Sequence, residues 1–335
     1  MLYYVQLAST GKLPDSINGV ELDMHTIRKA SSNYTFQPNK MDSPQPGLYP
    51  LFESESGRVN LEMPNDFFRI KNGLEFIDTK TNKVLKEKST LFSSSLEKRG
   101  LTYPARIIAG IPTFKKSCDE GYLITDAREQ LFHLKMIEGK PFVKKIILPE
   151  GLTFKWIECV DFSNKRYYAY LISSLNKVFV LMQDTYELKQ LPVEGFNADT
   201  DNLKIYGDLF NYNIITEGES YVNVIALDNQ FNKIDQYAEK WDDRYHRLEG
   251  KIFKYLFPFE INLKNDTSKY IDFRLNLAIG FNSIFLSLLL LFVEIFRSTR
   301  EKKPVKHHLI DLFIIAFTGI FGFIAVNIFP NKAYQ

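Results

Sequence analysis

Two apolar runs near the C-terminal end, separated by a basic tip, constrain this 335-residue chain more than any other feature. Residues 275–296 read LNLAIGFNSIFLSLLLLFVEIF, and residues 309–329 read LIDLFIIAFTGIFGFIAVNIF. As a helix rising about 1.5 Å per residue, the first run would reach ~33 Å and the second about as far, close to one hydrocarbon core. Helices of a soluble core show a polar stripe at the 3.6-residue period, and neither run does. Each carries a single acidic residue, Glu294 or Asp311, at the end nearest the tip. The pattern predicts a transmembrane hairpin of two helices, 275–296 and 309–329, with membrane lipid as its first partner. Two helices buried in a soluble core are the competing reading.

The tip holds Arg297, Arg300, Lys302, Lys303 and Lys306 within ten residues. Cations beside membrane ends are retained in the cytoplasm. On that rule both outer ends of the hairpin, and the large N-terminal part, face the other side. The flank before the first run has as many cations, Lys251, Lys254, Lys264, Lys269 and Arg274, but spread over 24 residues. The asymmetry therefore rests on density. Asn282, Ser283, Gly319 and Gly322 are candidate helix-packing positions, because small and polar residues let helices approach in lipid.

The rest divides into an irregular segment 1–50, a β-rich domain 51–250 and a juxtamembrane segment 251–274. MLYYVQLA, at the start, has the look of the last two turns of a membrane helix, which implies that one precedes it. Asn18-Gly19 signals a turn, and a short helix is expected near Asp23. Asn72-Gly73 signals a hairpin, and 89–99 a helix stopped by Gly100. Residues 121–240 repeat: similar units begin at Gly121, Tyr167 and Tyr212, offset by 46 and 45 residues, each with three strands and two turns. Four-stranded propeller blades recur at about 40–45 residues. The fold class expected is mainly β, repeated antiparallel meanders, propeller-like with an incomplete ring; a β-sandwich is the alternative. Tyr237, Trp241, Tyr245, Leu248, Ile252 and Tyr255 fall at helical spacing and predict a helix ending near Pro258, which either leads towards the bilayer or turns its apolar face to a core.

Chemistry is sparse. Net charge is +2, which argues against a nucleic-acid binder driven by charge. Cys118 and Cys159 lack the spacing of a redox or zinc pair. No two of His25, His133, His246, His307 and His308 stand at i, i+4, and His133 in LFHLK is expected to face solvent. No nucleophile elbow occurs. Asp199-Asp201 and Asp242-Asp243 read as turn acids. No catalytic residue, metal or cofactor is predicted.

TGKLPDSINGVEL, LYPLFESESGRVNLEMPNDFFRIKNGLEFIDTKTN and EGYLITDAREQLFHLKMIEGKPFV together resemble an uncharacterised bacterial membrane family. That family is a domain of unknown function often encoded beside ABC-transporter genes. The resemblance implies a further N-terminal membrane helix and a partnership with permease and ATPase subunits; it supplies no catalytic residues. The expectation is a non-enzymatic inner-membrane accessory or binding protein of an ABC-type system, its β-rich domain in the periplasm. A membrane-tethered envelope hydrolase is the alternative, and a signalling receptor with so short a cytoplasmic tip ranks last.

Overall fold

Strand residues that alternate between two apolar faces must be covered on both sides, and here successive sheets cover one another. The structure, a computed structural model, describes residues 2–57, 59–116, 118–242, 247–257, 259–263, 268–270, 273–277, 281–300 and 309–329. The chain forms two units, 1–218 with 222–238, and 219–221 with 239–335.

The first unit opens with α1 (Leu2–Ser9), a hairpin of β1 (Ser16–Ile17) and β2 (Val20–Glu21), α2 (Met24–Ala30) and β3 (Ser32–Phe36). Asn18 and Gly19 both have positive φ, 51° and 78°, as the tight hairpin turn requires. Asp23 caps α2, accepting from the backbone N–H of His25 and Thr26 at 2.7 and 2.9 Å. A two-stranded sheet follows, β4 (Asp66–Ile70) and β5 (Leu74–Asp78), then α3 (Lys86–Lys98). α3 ends at Gly100 (φ 91°): the N–H groups of Gly100 and Leu101 return to Glu97 O and Leu96 O.

Three antiparallel meanders come next. The first is β6 (Ile107–Gly110), β7 (Tyr122–Thr125), β8 (Leu131–Ile137) and β9 (Lys140–Ile146). The second is β10 (Phe154–Cys159), β11 (Tyr167–Ser173), β12 (Val178–Met182) and β13 (Leu188–Gln190). The third is β14 (Asn202–Gly207), β15 (Asn211–Glu217), β16 (Tyr221–Asp228) and β17 (Lys233–Lys240), with β3 added beside β14. The repeat seen in sequence thus starts at the second strand of each blade, and a further strand precedes it. No sheet among the described residues closes on itself.

Three core clusters lie between these layers. Tyr122 and Ile124 of β7 join the cluster shared with β4, β5 and α3, while Leu123 joins the one shared with the second blade. On β12, Val178 and Val180 face the third blade; Phe179 and Leu181 face the first. A bulge between Tyr167 and Ala169 turns Tyr168 and Ala169 to the same side. Each fully buried Leu, Ile or Phe contributes roughly 1.5–3 kcal/mol, so a blade without its neighbour would lose most of its stabilisation.

The second unit contains α4 (Leu248–Leu256), the hairpin β18 (Phe259–Asn262) and β19 (Arg274–Leu277), α5 (Phe281–Arg300), α6 (Leu309–Thr318) and α7 (Ile320–Ile328). Three expectations are corrected here. The helix read across 237–258 is a strand up to Lys240 and a helix only over Leu248–Leu256, because Tyr237 lies in β17 at the edge of the third blade. The first apolar run is not one helix: residues 275–277 pair with β18. The second run is not one helix either, since it breaks at Gly319 (φ 60°, ψ −129°), a conformation open only to glycine. Among the described residues no helix is long and apolar enough to cross a membrane. α5 has 20 residues but carries Glu294, Arg297 and Arg300 in its last seven, and α6 and α7 have ten and nine.

Candidate functional site

A concavity in the first unit runs beside the edge strands of the first two blades. It is a groove of about 650 Å3 bounded by β6, β10 and the 41–49 segment, with Met41, Tyr49, Arg106, Ile108, Trp156 and Glu158 among its walls. Among the described residues neither β6 nor β10 has a strand on its other side. The groove lies between two unpaired strand edges, and its walls mix apolar surface with charges held by partners.

Glu158 is the best-held charge. Lys40 Nζ donates to its carboxylate at 2.7 Å and to Thr35 O at 2.6 Å, and Trp156 Nε1 donates to it at 3.4 Å. Burial, with Glu158 nearby, pushes the Tyr34 hydroxyl well above the usual tyrosine range. Lys155 pairs with Asp199 (2.9 Å), and Arg106 with Glu129. Cys159 donates to Ala109 O at 3.3 Å; burial pushes its pKa up to about 12, so it is a neutral thiol rather than a nucleophile. A groove with these walls can hold an extended or flat ligand by apolar contact, with polar groups fixing its direction.

A second polar group is built into the junction of the first two blades. His133, on β8, was expected to face solvent; it is 1% exposed. Its strand is buried on both faces, because the second blade covers the side that alternation would leave outside. His133 Nε2 bonds to Glu120 O, a carbonyl that can only accept, so Nδ1 receives the Tyr186 hydroxyl at 2.8 Å. Burial pulls the His133 pKa down to about 4. Burial alone would raise Glu120, but Lys135 at 2.6 Å, with Lys165 and Gln183, outweighs it and holds the carboxyl below its usual value. These groups satisfy one another, which suits a rigid joint.

The cysteines are both free thiols. Asp201 caps its own loop, accepting from Asn197 N–H at 2.7 Å, and Asp199 pairs with Lys155, so this pair is divided between two tasks. Among the described residues no group of three or more His, Cys, Asp or Glu is placed to hold a metal ion.

In the second unit, Arg297 donates to Asn327, whose amide lies 3.5 Å from Glu294. Ser283 is buried, Gly319 caps α7, and Gly322 lies against α6 so closely that a Cβ would meet Ile314 O at 2.7 Å. Asn282 lies in α5, and Arg300 ends it. Lys302, Lys303 and Lys306, with His307 and His308, are outside the described residues, as is His246. None of the groove residues carries a local sequence signal. They come from separate repeats, and only the stacking of blades brings them together.

Similar proteins add a family. No curated protein shows a significant match to the sequence. Among solved structures, the Dos1 propeller is 12% identical at a TM-score of 0.30, covering 56% of this chain and 46% of that one. The β-propeller domain of Cps50 (Swd1) from Myceliophteria thermophila is 12% identical at 0.29, covering 60% and 58%. BamB from Moraxella catarrhalis is 12% identical at 0.24, covering 54% and 63%. The chain thus spans about half the length of these structures. Residues 1–227, from α1 through the second strand of the third blade into the next, match one family, and by that match the chain belongs to the DUF4857 domain-of-unknown-function family.

Proposed function

We propose that this chain is a non-enzymatic, membrane-associated binding or accessory protein that works with an ABC-type transport system at the bacterial inner membrane. The observation that carries the membrane part is the inverted polarity of the helical unit. Its exterior is apolar: Phe285, Leu288, Phe292, Phe296, Phe313 and Phe317 are exposed. Its interior is largely polar: Ser283, Ser287, Glu294, Ser298 and Asp311 are buried beside Ile315 and Gly322. A water-soluble bundle has the opposite arrangement, and so large an apolar exterior needs a cover. The groove between β6 and β10 supports the binding part. The transporter link rests on the resemblance of the sequence to a family encoded beside such genes.

Pull-down of the tagged chain from native membranes in mild detergent tests the reading. Recovery of a permease and an ATPase is the expected result; recovery of neither across several detergents would overturn the transporter link. In this reading the β-rich unit faces the periplasm, so protease added to intact spheroplasts should cut it, and protection would place it in the cytosol.

A further inference from the structure

We propose that α6 and α7 form a wedge that enters and leaves the same side of a lipid bilayer, seated in one leaflet. The inference deepens the membrane reading above and rests on it.

The first ground is the path of the chain. It bends sharply at Gly319, and Gly322 then sits against Ile314, eight residues back. In a straight helix those residues would be ~12 Å apart along the axis. The far end of α7 is tied to the last turns of α5, where Asn327 meets Arg297 and Glu294. α6 starts nine residues after α5 ends and buries Asp311 in its first turn, so each end of the wedge carries a polar side chain that is buried or bonded.

Length is the second ground. Helices of ten and nine residues rise about 15 Å, half of a ~30 Å hydrocarbon core, and apolar segments this short suit re-entrant positions better than spans. Residues 312–329 contain no charged side chain, whereas Arg297 and Arg300 stand at the end where the wedge begins. That distribution matches an apolar leaflet below an anionic headgroup layer.

The bend keeps part of its hydrogen bonding. Gly319 N–H donates to Ile315 O (2.8 Å), Phe323 N–H to Gly319 O (3.1 Å), and the Thr318 hydroxyl to Ile314 O (2.7 Å). The exposed apolar arc of α6 takes in Leu309, Ile310, Phe313, Ile314 and Phe317, wider than the ~100° stripe of a helix packed on a protein. Its first turn, with Leu309 and Ile310, stands at the headgroup layer, and below it lipid covers the arc without a matching surface.

Single cysteines at exposed positions test this without disturbing packing. Ile310→Cys, Phe317→Cys and Ile328→Cys are each made in the full chain with Cys118→Ser and Cys159→Ser. The proteins are reconstituted in vesicles of phosphatidylethanolamine and phosphatidylglycerol and treated with a membrane-impermeant maleimide from outside, then after lysis. Positions 310 and 328 should label from the same side, and position 317 from neither until detergent is added. Labelling of 310 and 328 from opposite faces would overturn the wedge and leave membrane association standing. Ready labelling of 317 in intact vesicles, or failure of the chain to float with them, would overturn both.

Discussion

Tyr122, Tyr167 and Tyr212 stand 45 residues apart, each buried at the second strand of its blade, and each hydroxyl is bonded: to Pro50 O (2.7 Å), Ser32 Oγ (3.1 Å) and Arg166 (2.9 Å). Their spacing was legible because identical packing demands recur in each repeat. The facing residues were not legible, since a glycine reads as a turn until its neighbour is seen. A Cβ on Gly110 would lie 2.4 Å from the Tyr122 ring, and one on Gly207 would lie 2.4 Å from the Tyr212 ring. Gly110→Ala and Gly207→Ala should each cost about 1–3 kcal/mol, read as a lower urea midpoint; a change under ~0.3 kcal/mol in both would refute the close-packing account. His133 was misread because alternation identifies two faces without saying which are covered. Its pKa is about 4 in the folded chain against an ordinary 6.5. The proton is refused by the fold and taken by the unfolded chain, so stability falls as pH drops from about 6.5 to 4 and this contribution levels off below that. The loss is about 3 kcal/mol at the outside. Urea unfolding at pH 7.5 and 4.5 should show a smaller difference for His133→Gln than for wild type, because glutamine does not titrate there. Equal differences would remove His133 as the cause.

At the scale of elements, α3 does more than cover a sheet. Among the described residues no full strand lies on the outer edge of β5, which meets only a short bridge from Ile77 to Val84. Its Phe76 N–H donates to Ser89 Oγ at 2.9 Å, its Leu74 N–H to Ser93 Oγ at 3.0 Å, and Ser93 gives its own proton to Leu74 O at 2.9 Å. Two serines one helical turn apart thereby close an edge that would otherwise invite another strand. The helix and its Gly100 stop were readable from periodicity and capping residues. The serines were not, because a serine on a helix normally faces water. Ser89→Ala with Ser93→Ala should cost about 1–3 kcal/mol for each orphaned amide and increase aggregation on mild heating. Thermal unfolding with light scattering measures both, and a neutral double variant would show that the edge is closed by burial alone. At Gly319, a candidate packing position in an apolar run, the backbone also bends. Hydropathy averages over a window and is blind to a single backbone dihedral.

At the scale of the molecule, the stack of blades is finished without ring closure. One end is capped by α3, and at the other β3 extends the third blade beside β14. The outward residues of that last blade are mixed and polar, with Lys204 paired to Glu217 at 2.9 Å and Asn211 and Asn213 exposed. A repeat array needs such polar terminal surfaces to remain soluble. The first unit therefore has both its core and its caps within residues 1–218 and 222–238, and the apolar excess of the surface belongs to the other unit. A chain ended after Lys240 should keep the three clusters and lose affinity for lipid. Far-ultraviolet circular dichroism and cooperative urea unfolding should show the β-rich unit intact, and flotation with phosphatidylglycerol vesicles should be abolished while the full chain still floats. If the shortened chain floats equally well, lipid is held by the β-rich unit, and the inverted polarity of α5–α7 must be covered by protein instead. If it fails to unfold cooperatively, the caps do not suffice and the blades depend on the segment removed.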